Sequence, residues 1–60
     1  MFVAIVDGEI LSARKSEERA LKDILEYRDM KPSEIKQLIK DKVDITSIDS
    51  GCKIVETIRD

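Results

Sequence analysis

At 60 residues the chain has room for one small domain, spanning 1–60, and its formal charge of −2 hides a mildly basic middle between two acidic ends. A chain this short buries only about 60% of the surface it exposes when unfolded, so its stability margin is thin. It has no histidine and a single cysteine, Cys52. That excludes an internal disulfide and the ordinary zinc sites, and removes the side chain that most often moves protons near neutral pH.

No catalytic residue, metal or cofactor is therefore expected. A lone cysteine, no apolar stretch near eighteen residues and no signal-peptide pattern point away from a membrane and toward a reducing, cytoplasmic setting. Charged residues at 40%, nine isoleucines and no asparagine lean toward a heat-adapted source.

The apolar run Phe2 to Val6 meets Asp7-Gly8 and then a mixed run from Glu9 to Arg14. Asp-Gly between two such runs is a strong hairpin signal, because both central residues of a type I′ turn need φ > 0. With a two-residue turn and a regular ladder, Ile5 faces Ile10, Ala4 faces Leu11, Val3 faces Ser12 and Phe2 faces Ala13. One face then carries Phe2, Ala4, Val6, Leu11 and Ala13 and is assigned to the helices. The other carries Val3, Ile5 and Ile10, with Ser12 and Arg14 at its far end. Neither face reads as polar, and a one-residue change would redistribute the side chains.

Ser16 is placed to cap a helix, with Glu17 and Glu18 in its first turn, where the free N–H groups favour negative charge. Ala20, Leu21, Ile24 and Leu25 gather on one stripe, with Arg28 continuing it and Tyr27 and Met30 toward its edge. Glu18–Lys22, Arg19–Asp23 and Lys22–Glu26 support the outer face at i,i+4. Pro32 disfavours helix at Lys31 but suits the first turn of a new one, so the first helix is expected to end near Met30 and a second to start at once. Ile35, Leu38, Ile39 and Val43 form the second stripe.

Residues 44–50 read equally as a last helical turn, an extended connection or a short strand. Gly51 marks a turn. Cys52 to Ile58 then reads as a strand, with Cys52, Ile54 and Ile58 at even spacing and Glu56 breaking that face. Beside Phe2–Val6 it makes the first strand central, which explains why that run is apolar throughout.

Chemistry-bearing residues have plainer explanations. Cys52 is a nucleophile only if its pKa is lowered, and a small buried strand residue is the commoner identity. Asp44, Thr46 and Asp49 offer oxygens to a hard cation but match no calcium loop. The tight join before Ile35 superficially resembles a helix-turn-helix, yet it carries Lys-Pro rather than glycine, and the following helix adds no arginine, asparagine or aromatic.

The expected architecture is α+β, in order ββααβ: an N-terminal β-hairpin, two consecutive helices and a C-terminal strand, with both helices on one side of a three-stranded sheet. The expected role is a non-enzymatic binding or structural module that forms a homo-oligomer through Val3, Ile5 and Ile10, because leaving them bare exceeds what small monomers usually tolerate. The alternative is a nucleic-acid-binding regulator using Lys31, Lys36, Lys40 and Lys42 on the helical layer, whose sign is salt-dependent binding.

Overall fold

A computed structural model describes residues 1–58. Strand β1 (Phe2–Val6) turns through Asp7-Gly8 into β2 (Glu9–Arg14). Both turn residues have positive φ, 52° and 84°, the backbone that the Asp-Gly pair was expected to supply. Strand β3 (Cys52–Glu56) lies antiparallel on the other side of β1, giving the sheet order β2-β1-β3. It stops two residues short of the expected Ile58, whose side chain is almost wholly in solvent.

Helix α1 (Glu17–Tyr27) buries Ala20, Leu21, Ile24 and Leu25, the stripe set by their spacing. Ser16 occupies the N-cap position with extended backbone, but its hydroxyl makes no capping bond. The helix closes earlier than Met30. Asp29 turns left-handed at φ 60°, its N–H reaches the Glu26 carbonyl at 3.0 Å, and Met30 N–H reaches Leu25 O at 3.0 Å. This paired closure is the Schellman motif, usually built on glycine.

Helix α2 (Pro32–Lys40) starts on its proline and ends the same way, with Lys42 at φ 53° and Val43 N–H on the Leu38 carbonyl. The ambiguous segment contains a third, one-turn helix, α3 (Ile45–Ile48), capped by the Asp44 carboxylate on Thr46 N–H at 3.1 Å.

The core lies between sheet and helices. Ala4, Val6 and Cys52 meet Ala20, Leu21, Ile24 and Leu25, with Ile35 and Ile45 closing it from α2 and α3. The two small residues Ala4 and Ala20, both fully buried, let α1 lie close to the central strand.

The hairpin register differs from the regular ladder. Ile5 pairs with Ile10 as expected, but Ala4 then pairs with Ser12, Val3 with Ala13 and Phe2 with Arg14. Leu11 is the extra residue of a β-bulge. Ser12 and Arg14 therefore face the helices, whereas Leu11 and Ala13 leave the helical face to which the sequence pattern assigned them.

The physical reason is Asp23 of α1, whose side chain is only 18% exposed beneath β2. Ser12 Oγ donates to it at 2.6 Å and Arg14 Nε at 2.7 Å. A regular ladder would set Leu11 and Ala13 against that carboxylate and leave it short of donors, which costs more than exposing one leucine and one alanine.

Candidate functional site

The bulge makes the open side of the sheet more apolar than the sequence pattern implied. By register, Ile5 lies there between Ile10 and Lys53, and Val3 between Ala13 and Val55. Ile10 is 73% exposed and Val55 39%; Leu11 at the bulge is also exposed. Lys53 is the one charge on these two rows, and it sits on an outer strand. Val3, Ile5 and Ile10 are thus brought together on one face, while Val55 and Ala13 extend it without having been singled out. The alternation of β3 carried the signal for Val55. Nothing in the sequence marked Leu11 as a bulge.

The four lysines of the alternative reading are all exposed. Lys31 precedes α2, Lys36 and Lys40 stand one turn apart on it, and Lys42 follows it. Glu34 and Asp41 are interleaved with them, and Gln37 Nε2 holds Asp41 at 3.1 Å, so this surface is mixed in sign.

A second concave feature lies between the helices and β3, a groove of about 640 Å³. Leu21, Ile39, Val43, Ile45 and Ile54 supply its apolar wall. Glu17, Glu18 and Asp44 contribute three acids against one base, Lys42. It escaped sequence reading because it depends on α3, whose existence the pattern left open.

At the turn end of the sheet, Arg28 departs from the apolar stripe it continues. Its Nε pairs with the Asp49 carboxylate at 2.9 Å, and its Nη2 lies 3.4 Å from Asp7 and 3.7 Å from Cys52 Sγ. Asp49 also accepts Gly51 N–H at 2.9 Å. That backbone bond, together with Arg28, holds the Asp49 carboxyl below the usual range against partial desolvation. Cys52 is buried, and desolvation pushes its thiol above the ordinary value even with Arg28 beside it. A neutral, enclosed thiol is a packing group, not an activated nucleophile.

Two of the three candidate cation ligands have carboxylates engaged within the fold, Asp44 as the cap of α3 and Asp49 by Arg28 and Gly51, while Thr46 is exposed. Among the described residues no group of three His, Cys, Asp or Glu is placed to hold a metal, and no helix is long and apolar enough to cross a membrane. No family model, curated protein or solved structure matches the chain.

Proposed function

We propose that this chain is a non-enzymatic, cytoplasmic binding module that pairs with a second copy of itself through the open face of its sheet. The observation that carries the reading is the apolar surface on which Ile10 and Val55 are exposed and Val3 and Ile5 half-buried, interrupted only at its rim by Lys53. Helices cover one side of the sheet and leave the other bare, and large contiguous apolar surfaces on small proteins mark interaction sites.

Two copies of this face match each other in character and size. Their contact is isologous, with Ile5 near its centre. Three strands about 4.8 Å apart and five residues of about 3.3 Å rise give a footprint of about 240 Å² per copy, below the standard size of stable interfaces, so the expected dimer is weak and exchanging. Lys53 on the outer strand keeps its ammonium in water while its stem covers the rim.

Sedimentation velocity from micromolar to millimolar concentration tests this. The wild type should move from one chain toward two, and Ile5→Lys, which leaves the helical side of the sheet untouched, should stay folded and monomeric. A wild type that remains monomeric across that range overturns the reading.

A further inference from the structure

We infer that the free edge of β3 and the groove beside it form a slot for an extended, basic peptide segment of a partner protein, which adds to the sheet as a fourth strand. The argument begins with backbone bonds. Met1 and Thr57 exchange two of them, at 2.7 and 2.9 Å, and Asp7 N–H bonds Gly51 O at 2.7 Å. In an antiparallel ladder such pairs alternate, so Val55 and Lys53 also turn their N–H and C=O groups toward β1. The same groups of Ile54 and Glu56 point outward, and they have no partner among the described residues.

The two edges of the sheet are not equivalent. Strand β2 is kinked by the bulge at Leu11, a device that discourages strand addition. Strand β3 is regular over five residues and has neither bulge nor proline. It also borders the groove, because Ile54 lies on both. Residues of all three helices line that groove with Ile54, the side on which a further strand would pack.

This geometry specifies the occupant. A residue opposite Ile54 shares its face and puts its side chain against the apolar wall of Leu21, Val43 and Ile45. A residue two positions away lies opposite Glu56, on the same face as Ile54, and the groove itself carries Glu17, Glu18 and Asp44 against Lys42. The fitting segment is therefore aliphatic at one position and lysine or arginine two residues on. Four main-chain hydrogen bonds to Ile54 and Glu56 supply affinity, and the alternate side chains supply selectivity. A second copy of β3 fits poorly, since pairing about Val55 sets Glu56 of one copy opposite Ile54 of the other, with its carboxylate against the apolar wall.

The slot is separate from the open sheet face and does not depend on it. The test is amide NMR of the full chain titrated with a blocked peptide, Thr-Val-Thr-Lys-Thr-Val, beside a counterpart carrying glutamate for lysine. The lysine peptide should shift the Ile54 and Glu56 amides and slow their exchange about tenfold, with the glutamate peptide far weaker. Glu56→Lys should weaken the lysine peptide about tenfold and improve the other, while Ile5→Lys leaves both unchanged. Glu56→Pro, which deletes an outward N–H together with the carboxylate, should bind both peptides more weakly than Glu56→Gln, which deletes the charge alone. Unshifted Ile54 and Glu56 amides at millimolar lysine peptide, or equal response to both peptides, overturn the proposal. So does concentration-dependent protection of these amides without peptide, which would give the edge to a second copy.

Discussion

Arg28 Nε lies 2.9 Å from Asp49 Oδ2 in an ion pair that joins the end of α1 to the turn that starts β3. The same guanidinium reaches Asp7 in the hairpin turn at 3.4 Å, so one side chain ties three connections together at one end of the sheet. The two contacts are unequal. Asp7 is 68% exposed and Asp49 31%, and water screens the first more strongly. Arg28→Ala should therefore lower the urea midpoint more than Asp7→Ala, and Arg28→Met, which retains the packed stem, should fall between them. Equal midpoints for Arg28→Ala and Asp7→Ala would show that Asp49 contributes nothing to the tie.

Gly51 sits against this network. A methyl group added there would meet Asp7 Oδ1 at 2.6 Å, a contact that the mobile carboxylate can relieve by swinging away. Gly51→Ala should cost less than about 1 kcal/mol, in keeping with a surface change that displaces only one flexible group. Double-mutant comparison checks the cause: the cost should disappear in the Asp7→Ala background.

Acid should loosen the fold through two carboxyls. Asp23 feels partial burial, which favours its neutral form, but hydrogen bonds from Arg14 and Ser12 and the nearby positive charges outweigh it and hold the pKa below its ordinary value. Asp49 is held down by Gly51 N–H and Arg28. For both groups the unfolded chain takes up protons first as pH falls. Their contribution to stability is present above the unfolded value of about 4 and is lost as pH drops through the lower folded values. Asp23→Asn and Asp49→Asn should each flatten the dependence of stability on pH below about 4, measured by urea unfolding at stepped pH. An unchanged acid limb in both variants would remove these residues as its source.

The elements were legible because each had a local cause: Asp7-Gly8 for the turn, Ala20 to Leu25 for the buried stripe, Pro32 for the second start. The hairpin faces were not, because a bulge is decided by tertiary demand, here the need of Asp23 for donors from Ser12 and Arg14. Val3, Ile5 and Ile10 keep the open face in either register, since Val3 and Ile5 lie on β1 and Ile5↔Ile10 precedes the bulge, while Ala13 joins it only through the slip. The β3 slot was illegible for another reason. It is defined by which backbone groups lack neighbours and by a one-turn helix too short to leave a periodic signal.

The bulge itself makes a prediction. Deleting Leu11 would leave Val6↔Glu9 and Ile5↔Ile10 in place and bring Ser12 directly opposite Ala4 in a regular ladder, so every other side chain keeps its face. The deletion should fold within about 1 kcal/mol of wild type, because the lost leucine is exposed at the surface. The straightened β2 edge should aggregate more readily on heating. Loss of the Ser12–Asp23 contact in the deletion, read from amide shifts, would refute the assigned register.

The helix ends test whether strain is held in the connections. Asp29 and Lys42 occupy left-handed positions, at φ 60° and 53°, where a β-carbon crowds the backbone and glycine is the usual choice. Both are kept there by the same bonds, from Met30 and Val43 back to Leu25 and Leu38. Replacing Lys42 with glycine relieves about 1–2 kcal/mol of crowding but gives back about 0.5–1 in unfolded-state freedom, for a net gain of about 0.5–1 kcal/mol. Asp29→Gly should gain less, since aspartate tolerates this conformation better than lysine. Urea midpoints should therefore rise in the order wild type, Asp29→Gly, Lys42→Gly. Lys42 is also the lone base lining the groove, so its removal should tighten binding of the lysine peptide and not of the glutamate one. A Lys42→Gly protein that is less stable than wild type would mean that the lysine side chain contributes more than its backbone strain costs.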